Sequence, residues 1–84
     1  MKAEVFVTLK KEVLDPQGDA VRRALDARGF DGVSSVRIGK FVEVEIDGSD
    51  RDAAAEHLEA MCQKLLANPV IEDFRFEIDG PDSQ

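Results

Sequence analysis

Cys62 and His57 are the single cysteine and single histidine of this 84-residue chain, and they hold most of its scope for nucleophilic chemistry. A Cys62 thiolate could act as a nucleophile if His57 or Lys64 stabilised it. On a shared helix, however, His57 lies roughly 140° around the axis from Cys62, and no acid is placed to orient its ring. Cys62 falls beside an apolar stripe and reads as a packing residue. His57, near Glu56 and Glu59, reads as a solvated helix residue. One cysteine forms no internal disulfide or metal cluster, and one histidine completes no zinc site alone.

The carboxylates are numerous but do not converge. Glu43, Glu45 and Asp47 alternate along one stretch, as the outward face of a strand does, and no second group is spaced to join them as a metal or acid–base site. Arg37-Ile38-Gly39-Lys40 sets two cations around a glycine and resembles a phosphate contact. It is too short for a phosphate-binding loop and no helix follows it. Eighteen acids against eleven bases leave a net charge of −7, with no Trp or Tyr. Without a basic stripe, nucleic-acid binding is not expected, because phosphate neutralisation is its main source of affinity. No apolar run is long enough to span a membrane, and the start of the chain lacks the apolar core of a signal peptide, so a cytoplasmic protein is expected.

The chain's length allows one domain, expected over residues 1–78 with a polar tail at 79–84. A core this small often gains stability by association. The central stretch runs from Val7 to Gly18: the end of a strand, a turn and the start of a helix. Asp15 suits an N-cap, since its carboxylate can accept a backbone N–H two or three residues on. Pro16 suits the first helical position. Gly18 is costly inside a first helical turn. Either residues 15–18 form a type I turn ending in glycine, which is favoured here, or a bare backbone is needed where another surface approaches. Before this stretch, Ala3, Val5, Val7 and Leu9 alternate as the buried face of a strand, with Phe6 on the polar side. After it, Ala20, Val21, Ala24, Leu25 and Ala27 form a narrow helical stripe, closed by Gly29.

Between residues 33 and 47, Val36, Ile38, Val42, Val44 and Ile46 all fall on even positions. One long strand kinked at Gly39 keeps them on one side, and so does a hairpin with a three-residue loop; the long strand is preferred. A second helix is expected from Ser49, with Asp52 as a weak capping-box partner and Ala54, Leu58, Met61 and Leu65 facing the core. Asn68-Pro69 ends it. A third strand over 70–78 places Val70, Phe74, Phe76 and Ile78 on one face, with Glu72 interrupting the alternation. The order strand–helix–strand–helix–strand gives an α+β domain, a largely antiparallel sheet with two helices on one face, related to the ferredoxin-like layout. The other face then carries Phe6, Phe41 and Ile71 with no helix left to cover them, which points to a protein–protein surface.

Three segments together carry a family likeness: Leu9-Lys10-x-x-Val13-Leu14-Asp15-Pro16-Gln17-Gly18, Val36-Arg37-Ile38-Gly39-Lys40, and Lys64-Leu65-Leu66-Ala67-Asn68-Pro69-Val70-Ile71-Glu72-Asp73-Phe74. In this order they resemble the PurS family, the small subunit of phosphoribosylformylglycinamidine synthase, across about residues 1–78. The resemblance implies a role in purine biosynthesis. There, formylglycinamide ribonucleotide, glutamine and ATP yield formylglycinamidine ribonucleotide, glutamate, ADP and phosphate. It implies a glutaminase subunit (PurQ) that releases ammonia and a synthetase subunit (PurL) that uses ATP and magnesium. The small subunit has no catalytic residues or cofactor of its own; it forms a homodimer or homotetramer, bridges the two enzymes and supports ammonia transfer. On this basis Phe6, Phe41 and Ile71 are expected in self-association. Lys10, Asp15, Pro16, Gln17, Gly18, Arg37, Gly39, Lys40 and Asn68 are expected to meet the larger subunits. The rival reading is a ferredoxin-like module that senses a small molecule, and a third is a stand-alone enzyme using Cys62.

Overall fold

The computed structural model describes residues 1–79; residues 80–84 of the expected polar tail lie outside them. Strand β1 (Lys2–Leu9) is the middle of a three-stranded antiparallel sheet. Its alternation is expressed directly: Ala3, Val5 and Val7 are buried on one face, while Phe6 stands on the other. Strand β2 (Gly39–Glu45) pairs on one side, with Val5 opposite Val42 and Phe6 opposite Phe41. Strand β3 (Glu72–Asp79) pairs on the other, with Val5 opposite Phe76 and Phe6 opposite Arg75. The sheet order is therefore β2-β1-β3.

The second strand is shorter than expected. Residues 33–38 make no ladder, and β2 starts at Gly39 rather than passing through it. The reason is local. A Cβ on Gly39 would lie 2.3 Å from the Val7 carbonyl oxygen, so the glycine permits the close approach that begins the pairing.

Helix α2 (Arg51–Met61) covers the inner face with Ala54, Leu58 and the adjoining Cys62, all essentially inaccessible to water. Fully burying an aliphatic side chain such as Leu58, Val5 or Val7 contributes about 1.5–3 kcal/mol each. Its N-cap is Asp50, whose carboxylate accepts the Asp52 and Ala53 N–H groups at 3.1 and 3.2 Å, one residue beyond the expected Ser49. The helix runs on into a π-helical turn at Cys62–Leu66, closed by Ala67 N–H donating to the Cys62 carbonyl at 3.0 Å. The wider turn rotates the next residues about the helix axis. Leu65, expected on the core stripe, is turned out and 82% exposed, while Leu66 and Ala67 face inward. Val70, expected on the inner face of the third strand, is also exposed, because the chain is still in a turn there.

Helix α1 (Pro16–Ala27) departs most from the expected layout. It does not lie on its own sheet beside α2: among its residues Gly18 alone is buried, and its apolar stripe is largely open to water. With the returning segment 28–38 it forms an arm continuing the β1–β2 end of the sheet. The molecule is accordingly long and thin, 48 × 30 × 14 Å.

Candidate partner-binding site

The arm is latched to the sheet at its root. One oxygen of the Asp15 carboxylate accepts the Gly18 N–H at 2.9 Å, and the other accepts the Ile38 N–H at 2.8 Å. Asp15 is the one buried charged residue among those described. The Gly18 bond, the Ile38 bond and the nearby Arg37 charge hold its carboxyl below the usual carboxylate range, against the opposing effect of burial. Pro16 opens the helix, as its fixed φ favours. Gly18 is required by close approach and not by a plain type I turn: a Cβ there would lie 2.1 Å from the Val36 carbonyl oxygen. Arg37 fastens the preceding turn, donating to the carbonyls of Leu9, Lys10 and Val13 at 3.3, 2.7 and 3.0 Å.

The other cations expected at a partner surface are engaged within the chain as well. Lys10 pairs with Asp73 at 2.9 Å, and that carboxylate raises its pKa through the hydrogen bond and the charge. Lys40 reaches from β2 to the Leu66 carbonyl at 2.9 Å, capping the π turn. Asn68 shapes the next turn: its side chain accepts the Val70 N–H at 3.1 Å, and its carbonyl accepts the N–H groups of Ile71 and Glu72. Glu72 completes the turn by accepting the Asn68 N–H at 2.6 Å. Glu72 is therefore no flaw in the strand: it is the first residue of β3, opposite Leu9, and its side chain closes the turn that precedes it; its position four residues after Asn68 is the clue the sequence offers. Lys10, Asp15, Pro16, Gln17, Gly18, Arg37, Gly39, Lys40 and Asn68 thus gather at one end of the sheet. Gln17, Ile38, Gly39 and Lys40 line a shallow hollow there of about 310 Å³.

On the open face of the sheet, Phe6 and Phe41 stand opposite each other with ring centroids 5.2 Å apart and tilted by 43°. The Arg75 guanidinium lies 4.0 Å from the Phe6 ring centre, a cation–π contact. Phe41 remains 54% exposed. Ile71 lies just before β3, its carbonyl accepting the Lys10 N–H at 2.8 Å, and is 39% exposed. The surroundings are acidic. Glu43 is held by Lys2 at 2.8 Å and Glu77 by Arg75 at 2.9 Å, with Glu4 and Glu45 on the same face. Arg75 belongs to this patch although nothing in its sequence neighbourhood marks it, because its partner depends on the register of β1 with β3.

Cys62 is fully buried, and burial pushes its thiol pKa up, reinforced by Glu59. That is the opposite of an activated nucleophile. His57 is exposed on α2. Among the described residues, no helix is long and apolar enough to cross a membrane.

A small α+β sheet with an open aromatic patch, and a helical arm fastened at its root by backbone-directed side chains, defines an association module. The chain belongs to the PurS family: the family model described as "PurS: Phosphoribosylformylglycinamidine (FGAM) synthase" matches residues 2–80. It is 51% identical over 78 residues to the phosphoribosylformylglycinamidine synthase subunit PurS of Bacillus subtilis, covering 93% of this chain and 92% of that one. Its fold is similar to the crystal structure of Methanocaldococcus jannaschii PurS, with a TM-score of 0.84, 39% identity, and 94% and 95% of the two chains covered. It is also similar to a chain of the PurLQS structure from Thermotoga maritima, with a TM-score of 0.83 and 29% identity over 90% of this chain and 93% of that one.

Proposed function

We propose that this chain is the non-catalytic bridging subunit of a phosphoribosylformylglycinamidine synthase, coupling a PurQ-type glutaminase to a PurL-type synthetase in purine biosynthesis. The observation that carries the reading is the likeness, over nearly the whole chain, to a protein solved within a PurLQS assembly. The geometry supports it. The polar groups near the Asp15 latch hold backbone, and the one thiol is buried with a raised pKa. In this role the subunit works in the cytoplasm and brings no cofactor; ATP and magnesium act on the synthetase.

The end of the sheet holding Asp15, Gln17, Lys40 and Asn68 meets the larger subunits, and the open face with Phe6, Phe41 and Ile71 serves self-association. Lys40 has a double part here, since its ammonium also caps the π turn. Charge reversal at Lys40 should weaken assembly through both effects, whereas Gln17→Glu alters the same hollow and leaves the latch hydrogen bonds in place. The test is the sedimentation of PurL, PurQ and this chain, separately and mixed with glutamine and ADP. A ternary species that forms with the wild type and weakens with Gln17→Glu supports the assignment; three independent boundaries contradict it.

A further inference from the structure

We infer that Leu65 is the anchor by which this chain grips a larger subunit, and that the π turn at Cys62–Leu66 is kept in order to present it. The partner's side is an apolar socket with a carboxylate at its rim, which Lys64 meets. This deepens the bridging reading and rests on it.

The first observation is one of register. On a regular helix, Leu65 and Leu66 would follow Leu58 and Cys62 on one face, at i+7 and i+8. The core face is instead Leu58, Cys62, Leu66 and Ala67, so the π turn holds one residue more than the packing uses. A helix one residue shorter would set Leu66 and Ala67 against the sheet with no widened turn. Packing thus explains which residues point inward, but not why there is an extra one. Such single widened turns are rare and occur frequently at functional sites. This one is also braced from outside the helix, where the Lys40 ammonium reaches from β2 to the Leu66 carbonyl at 2.9 Å.

The second observation is what the turn leaves outside. Leu65 is 82% exposed, and Val70, in the turn before β3, is 80% exposed. A single exposed leucine is ordinary. Here, however, the run 63–71 holds one charged residue in nine, Lys64, in a chain that is 35% charged. An apolar stretch on an otherwise charged surface marks a contact site. It is continuous with the end of the sheet where Lys40 and Asn68 lie.

Charge selects the occupant. Lys10, Arg37 and Lys40 are each bound within the chain. Lys64 is exposed and has no ion pair or hydrogen bond among the described residues. Two copies meeting symmetrically through this patch would set one Lys64 against the other, because such a contact places the same surface on both sides. A different protein with an acidic rim avoids that repulsion, and rim charges of this kind govern the choice of partner.

The test is sedimentation of the full chain and its variants with PurL and PurQ in the presence of glutamine and ADP. Leu65→Ser leaves the backbone alone and should weaken ternary assembly roughly tenfold or more, with its own oligomeric mass and melting temperature unchanged. Leu65→Met keeps an aliphatic tip and should assemble as the wild type does. Lys64→Glu should weaken assembly, and less so at high salt. Deletion of Leu65 should melt no lower than the wild type and yet assemble as poorly as Leu65→Ser. Wild-type assembly by Leu65→Ser, or loss of its own oligomeric mass, would overturn the inference. So would a deletion variant that melts below the wild type, and full assembly by Lys64→Glu would contradict the acidic rim. A wild-type chain that joins neither larger subunit overturns the bridging reading and this inference with it, whereas failure of the inference alone shows only in the variants.

Discussion

Asp15 and Ile38, 23 positions apart, are joined by a 2.8 Å hydrogen bond from the Ile38 N–H to the Asp15 carboxylate. The same side chain caps α1 through the Gly18 N–H. One carboxylate thus fixes where the helix starts and where the returning chain meets β2. It ties the arm to the sheet.

Removing that carboxylate should loosen both attachments. Asp15→Ala leaves a helix without its cap and the Ile38 N–H without its partner, so the melting temperature should fall by roughly 5–10 °C. Asp15→Asn keeps one acceptor oxygen and should fall between. Thermal unfolding followed by circular dichroism distinguishes the three.

The latch also sets a pH dependence. The folded Asp15 pKa is depressed below its ordinary value of 3.8. Its contribution is therefore complete above that value and is lost as pH falls through the depressed folded pKa. Urea unfolding at pH 7 and at pH 3 should show the gap between wild type and Asp15→Asn narrowing at the lower pH. An equal gap at both would mean that the charge on Asp15 is immaterial.

Glycine substitutions should separate close approach from mere flexibility. At Gly18 the added methyl meets the Val36 carbonyl. Gly18→Ala should cost about 1–3 kcal/mol, outweighing the roughly 1 kcal/mol that alanine gains inside a helix. Gly39→Ala meets the Val7 carbonyl and should behave alike. Gly32→Ala meets nothing within 4 Å and should stay within about 0.5 kcal/mol of wild type. Denaturant titration of the three variants measures the contrast.

Much of this arrangement is legible in the residues themselves. Alternation in Ala3, Val5 and Val7 marks the buried face of β1, and Asp15-Pro16 marks the start of α1, because both depend on local chemistry. Asp50 displaces Ser49 as cap, a shift of one residue between two good capping types. The π turn is not legible. A stripe through Met61 and Leu65 fits a regular helix, and only packing against the sheet makes the extra residue favourable, which turns Leu65 out and Leu66 in. The place of α1 is hidden for a similar reason: Val21 and Leu25 read as a core stripe whether the core belongs to the same chain or to another. Lys10, Arg37 and Lys40 look available as surface cations, yet each reaches an acceptor 26 or more positions away, on Asp73, Lys10 and Leu66 respectively. Residue type gives the donor; only the fold gives the acceptor.

Cys62 should be inert in the native protein. Burial and Glu59 raise its pKa, so a thiol reagent at pH 8 should modify the folded chain at least a hundredfold more slowly than the urea-unfolded chain. Equal rates would place the thiol at the surface.

The bridging role is tested most directly by glutamine-dependent synthesis of formylglycinamidine ribonucleotide by the PurL and PurQ subunits, with and without this chain, alongside ammonia-dependent synthesis by PurL alone. The chain should restore the glutamine-dependent reaction, leave the ammonia-dependent one unchanged, and do so equally well as Cys62→Ala. If glutamine-dependent synthesis proceeds at the same rate without the chain, it does not couple the two enzymes.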